Sequence, residues 1–151
     1  MNLQDELKAL KERIAELEEL AKEEQEFPQD GDDYCYTTML GRVCHGSWDN
    51  LNSETSMLEL GNIYRTEEEA EFAVEKLKVE SELRKFSRPF KGDEYNYFIQ
   101  INSSHNNIVV DSDDCYQTQG TIYFESTTIA NEATDTVGAD RIKKYIFGVE
   151  D

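Results

Sequence analysis

Thiol and imidazole chemistry could be carried in this sequence by Cys35, Cys44, Cys115, His45 and His105. A cysteine nucleophile needs an imidazole within hydrogen-bond reach and a third group to orient that imidazole. Cys44 and His45 are adjacent, but no orienting residue and no glycine-rich loop accompany them. Zinc requires four converging donors, usually supplied in pairs as Cys-x-x-Cys or His-x-x-x-His, and neither spacing occurs. Asp30-Gly31-Asp32-Asp33 and Asp111-Ser112-Asp113-Asp114 have the composition of calcium loops without their order. Counting from Asp111, the fifth position is Cys115, the sixth is Tyr116 where a glycine is needed, and no glutamate stands at the twelfth. The expectation is a protein with no catalytic residues, no metal site and no cofactor.

Charge says more. The 151 residues hold 33 acids against 15 bases, a net charge of −18. Such a chain carries the same sign as a phosphate backbone, so direct binding to nucleic acid is disfavoured. Attachment to an anionic membrane is disfavoured for the same reason. No apolar run approaches the roughly 20 residues that a membrane-spanning helix needs. The start, Met1-Asn2-Leu3-Gln4-Asp5-Glu6, lacks the basic and apolar stretches of a secretory signal. Three irregularly spaced cysteines read as reduced thiols, so a cytoplasmic location is expected.

The clearest periodic element comes first. Leu3, Leu7, Leu10, Ile14, Leu17 and Ala21 are spaced by alternating fours and threes, the 3.5-residue repeat of a coiled-coil seam. With Leu7, Ile14 and Ala21 at a, the leucines at d favour a parallel two-stranded coil. In that register Glu6 meets Lys11 of a second copy, and Arg13 meets Glu18. Both pairs are of opposite sign. The expectation is a homodimer held through residues 1–27, with Pro28 and Gly31 ending the helix.

From residue 28 to 151 the chain repeats itself. Asp32-Asp33-Tyr34-Cys35-Tyr36 matches Asp93-Glu94-Tyr95-Asn96-Tyr97, and Gly61-Asn62-Ile63-Tyr64 matches Gly120-Thr121-Ile122-Tyr123. Thr66, Ala70, Ala73 and Leu77 then match Ser126, Ala130, Ala133 and Val137. Each copy, about 32–88 and 93–151, reads as β-β-β-α with antiparallel sheet, and the two would share one core. The expected class is therefore α+β, a heptad helix followed by a duplicated unit. The first repeat helix starts after Thr66 and extends to about Ser87 ahead of Pro89, with Ala70, Ala73, Val74 and Leu77 on one apolar face. Phe72, Val79, Leu83 and Phe86 form another. Between them Glu68, Glu71, Glu75 and Glu82 project within about 60° of one another at 100° per residue. The second helix, Thr127 to Val137, has no strong cap and ends at Gly138. A short basic helix follows from Ala139, where Arg141, Lys143 and Lys144 can balance nearby acids.

The run from Gly61 to Val79, GNIYRTEEEAEFAVEKLKV, resembles small acidic proteins encoded by phages and prophages of Gram-positive bacteria. The ending Arg141 to Glu150, RIKKYIFGVE, is similar to theirs, as are the heptad arm and the Glu26-Phe27-Pro28 junction. The resemblance implies a mobile-element product acting inside a bacterial host, and proteins of that origin often inhibit host defence, anti-CRISPR proteins among them. It attaches no activity and no residue roles. Taken with the charge, it leads to the expectation of a non-enzymatic inhibitor that occupies the basic surface of a host nucleic-acid-binding defence protein, a CRISPR effector nuclease for example. Carboxylates would stand where phosphates do. Glu68, Glu71, Glu75, Glu82, Asp111, Asp113 and Asp114 are the candidate contacts. Two alternatives are a protein that sequesters a nucleotide signal in a pocket lined by Tyr34, Tyr36, Tyr95 and Tyr97, and a structural or assembly accessory protein of the phage.

Overall fold

The computed structural model describes residues 2–24 and 26–150. Among them are five helices and two small antiparallel sheets, an α+β protein. The chain forms two compact units, Met1–Tyr36 with Cys44–Thr66, and Thr37–Val43 with Glu67–Asp151.

In the first unit, helix α1 runs Leu3–Glu24, with the Asn2 side chain accepting the Asp5 backbone N–H at 2.9 Å. Strands β1 (Asp33–Thr37) and β2 (Val43–Ser47) form a hairpin whose tip, Thr37–Val43, belongs to the second unit. Tyr34 lies over Gly46, where an added Cβ would come within 2.7 Å of the phenol ring. Trp48 meets the same ring edge-on at 6.0 Å. Tyr34, Cys35 and Trp48 are thereby buried. Helix α2 (Asn52–Glu59) has no counterpart in the sequence reading. Only one residue of the expected third strand pairs, Tyr64, in an isolated bridge with Cys35.

The second unit holds the main core. Helix α3 covers Glu67–Arg84, three residues shorter than expected at its C-terminal end. Strands β3 (Asn96–Asn102) and β4 (Asn107–Asp113) pair in register, Phe98 opposite Asp111 and Ile101 opposite Ile108. Their turn contains Asn106 at φ 51°, a left-handed conformation that asparagine tolerates better than most residues. Here too the third strand shrinks to one bridge, Tyr97 to Phe124. A two-stranded ribbon is marginal alone, so packing on helices must hold it.

That packing comes from α3, α4 (Thr127–Val137) and α5 (Ala139–Tyr145). Val79, Leu83, Phe124, Ala130, Ala133, Val137 and Ile142 form one buried cluster. The alanines let α4 approach closely, while Phe124 fills the volume between helices and ribbon. Helix α3 thus joins the second hairpin's core, although the sequence repeat places it in the first copy. Its other expected apolar face is only half used: Ala70 and Val74 are buried, yet Leu77 is 63% exposed. Gly41 at the tip of the first hairpin fits against Val74, and a Cβ there would lie 3.3 Å from Val74 Cγ1.

Helix α4 does have a cap, contrary to the sequence expectation. The Ser126 side chain accepts the Ile129 N–H at 3.1 Å. Gly138, at φ 106°, ends α4 and opens α5. No helix among the described residues is long and apolar enough to cross a membrane.

Candidate functional site

The heptad positions of α1 face solvent. Leu3 is 84% exposed, Leu10 61% and Leu17 49%, with Leu7, Ile14 and Ala21 also exposed. This helix of 22 residues therefore lacks the packing of an apolar face from which helices in proteins draw most of their stability. Among the described residues the charges beside the stripe form one local pair, Arg13 with Glu16 at 3.0 Å.

The four glutamates of the α3 stripe divide into two kinds. Glu82 receives two bonds from Arg141, Nη1 to Oε2 at 2.7 Å and Nη2 to Oε1 at 3.3 Å. That guanidinium holds the Glu82 carboxyl below its ordinary range. Glu75 accepts from Lys78 at 2.9 Å, an exposed pair one turn apart. Glu68 and Glu71 are exposed and form no ion pair among the described residues. They edge an open cleft of about 600 Å³ whose apolar wall includes Val43, Val74 and the rings of Phe72 and Tyr145, 5.0 Å apart. Lys78 and Lys144 line the same cleft, so its net charge is far lower than the acids alone imply.

The aspartates at the end of β4 also divide. Asp113 accepts the backbone N–H groups of Tyr116 at 2.9 Å and Cys115 at 2.8 Å, and these bonds pull its pKa down. It builds the turn that follows the strand. Asp111 and Asp114 are exposed; Asp111 accepts the N–H of its neighbour Ser112 at 2.8 Å, and Asp114 bonds the Cys115 thiol, raising that thiol's pKa. A thiol raised by neighbouring carboxylates is a poor nucleophile, since the thiolate is the reactive form.

Two polar arrangements escaped the sequence reading. Glu54 is 3% exposed and carries three bonds, from Tyr34 Oη at 2.7 Å, Asp49 N at 2.9 Å and Leu51 N at 3.1 Å. The tyrosine bond lowers the Glu54 pKa, and burial, with the carboxylate beside it, pushes the Tyr34 phenol up to about 12. Glu54 sits three residues after the helix start at Leu51, a capping position the sequence displays; Tyr34 is 20 residues away and gave no signal. The other arrangement is a contact of 3.4 Å between Cys35 Sγ and His45 Nδ1, across the first hairpin. In the sequence the cysteine beside His45 is Cys44. Strand alternation sends adjacent residues to opposite faces, and the cross-strand residue is the one within reach.

The four tyrosines considered for a ligand pocket serve different ends. Tyr34 is buried against Trp48 and Glu54, whereas Tyr95 is 61% exposed. Tyr97 packs against the core of the second unit. No group of three or more His, Cys, Asp or Glu side chains able to hold a metal ion occurs among the described residues. Comparison of the chain with protein-family models, with curated proteins and with solved structures returns no match.

Proposed function

We propose that this is a non-enzymatic, phage-encoded inhibitor that dimerises through α1 and occupies the basic surface of a host nucleic-acid-handling protein, a CRISPR effector nuclease among the candidates. The observation that carries the reading is the set Glu68, Glu71, Asp111 and Asp114, exposed carboxylates outside any ion pair among the described residues, in a chain of net charge −18. A partner shaped to hold phosphates at their spacing supplies cations of the right sign. The long-range field speeds encounter, and added salt weakens it.

In this reading Glu82 and Glu75 play supporting parts, since each is ion-paired within the fold, and so does Asp113, whose carboxylate holds two backbone N–H groups of the turn after β4. The α1 seam brings two copies together as a parallel coil, doubling the charge presented. The repeated β-β-β-α pattern is read as an old duplication. In both halves a hairpin strand bridges to a Gly-x-Ile-Tyr segment or its next residue, and a helix follows.

The test is copurification with tagged protein from bacteria that carry defence systems, washed at low and then high salt. A nucleic-acid-handling protein should be retained at low salt, shed at high salt and displaced by duplex DNA. The double substitution Glu68→Lys with Glu71→Lys should abolish its retention. A partner that ignores salt, DNA and both substitutions would rule out phosphate mimicry.

A further inference from the structure

The second unit contains a cavity of about 160 Å³ that no part of the proposed inhibitor surface uses. Leu83, Ile99, Ile122, Phe124, Ile142, Ile146 and Phe147 supply its apolar walls, and Gly120 and Thr121 complete the lining between them. Its mouth holds two charged side chains one turn apart on α3, Glu80 and Arg84. Neither takes part in an ion pair among the described residues, with each other or with any neighbour.

Size fixes the class of guest. Pockets for drug-sized ligands span roughly 300–1,000 Å³, so this one accepts a fragment. A cavity of about 150 Å³ lined by Leu, Ile and Phe stays dry and takes up benzene. A nucleobase has a comparable ring, but its ring nitrogens and exocyclic groups would lose their water partners against these walls. The interior therefore selects a compact apolar group, a phenyl or an isobutyl.

The mouth selects what that group is attached to. A guanidinium and a carboxylate together neutralise each other's field at distance while offering donors and an acceptor at short range. A simple anion would gain Arg84 but meet Glu80 and the net negative charge of the chain. A simple cation would meet Arg84. A zwitterion satisfies both. We propose that this cavity binds a free apolar α-amino acid of the leucine or phenylalanine kind, its side chain against the apolar walls and its ammonium and carboxylate at Glu80 and Arg84.

The full-length protein is titrated with L-phenylalanine, L-leucine, phenylacetate, phenethylamine and benzene, read by melting temperature and by NMR shifts of the cavity methyl groups. A ligand that binds only the native state must raise the melting temperature. Phenylalanine or leucine should saturate with a dissociation constant at or below about 1 mM, the weak end of specific small-ligand binding. Phenylacetate and phenethylamine should bind at least fivefold more weakly. Arg84→Gln and Glu80→Gln should each weaken the amino acid at least fivefold while leaving benzene uptake unchanged. Ile99→Phe should fill the cavity and abolish uptake of every probe; Ile122→Phe serves the same purpose if the first variant fails to fold. Absence of saturable amino-acid binding overturns the proposal, as does binding that either filled variant retains. So does benzene uptake with no preference for the zwitterion. None of these outcomes bears on retention of a basic partner protein, so the two readings stand or fall separately.

Discussion

Arg141 and Glu82, 59 residues apart in sequence, meet in a two-pronged ion pair that ties α5 to α3. Arg141 also donates to the Val137 carbonyl at 3.0 Å, so one guanidinium joins three helices at the corner after α4. A forked donor of this kind suits a carboxylate in a way an ammonium does not. Arg141→Lys should therefore fail to rescue Arg141→Met. Each side chain is more than a third exposed, so solvent screening limits the loss to about 1 kcal/mol, measurable by urea denaturation. Equal stability of the lysine variant and the parent would show that the fork has no value here.

The buried pair Tyr34–Glu54 sets two limits on stability against pH. The Glu54 pKa is lowered in the fold, so its contribution is complete above the ordinary carboxylate range. It is lost as pH falls through the depressed folded value. The Tyr34 pKa is raised to about 12, so its contribution is complete below its ordinary value near 10 and is lost between there and about 12. Tyr34→Phe should remove the alkaline decline and cost about 1–3 kcal/mol at neutral pH, because Glu54 loses its buried donor. Melting curves of the parent and the variant from acid to alkaline pH decide this; an alkaline decline that persists in Tyr34→Phe would place its source elsewhere.

Gly46 faces the Tyr34 ring too closely for any side chain. Gly46→Ala forces the phenol off its position above the strand and strains its bond to Glu54. Overpacking of this kind costs about 1–3 kcal/mol. Gly92, where an added Cβ meets nothing within 4 Å, provides the control, and Gly92→Ala should leave the denaturation midpoint nearly unchanged.

The uncovered seam of α1 gives a sharper test of assembly. Leu10→Asp with Leu17→Asp should halve the mass seen by light scattering and reduce helical signal, since a helix in a protein draws most of its stability from packing of its apolar face. The second unit should keep its melting transition. A parent protein that is monomeric at every concentration tested would remove the coil from the proposed mechanism.

Sequence periodicity revealed the helices well and the sheets less well. Helices α1, α3, α4 and α5 are local objects, written in spacing, in Gly138 and in the acids after Thr66. The third strands were overread because Ile63-Tyr64 and Ile122-Tyr123 have β-prone composition, while a strand exists only where a neighbour pairs with it. Tyr64 and Phe124 each find a single partner residue. The acidic stripe was visible as a geometry of 100° steps. Its division into engaged and available carboxylates was not, because Arg141 comes from a helix 59 residues later. Long-range partners of polar groups leave no trace in local pattern.

The two compact units are interleaved along the chain. The polypeptide passes from one unit to the other after Tyr36, returns after Val43 and crosses once more after Thr66. A single cut can therefore never separate them into two intact fragments. A truncation starting at Glu67 loses the Thr37–Val43 segment that seats Gly41 on Val74, and one ending at Thr66 carries that segment with nothing to rest on. Isolating the acid-bearing unit calls for a circularly rearranged gene or a grafted hairpin.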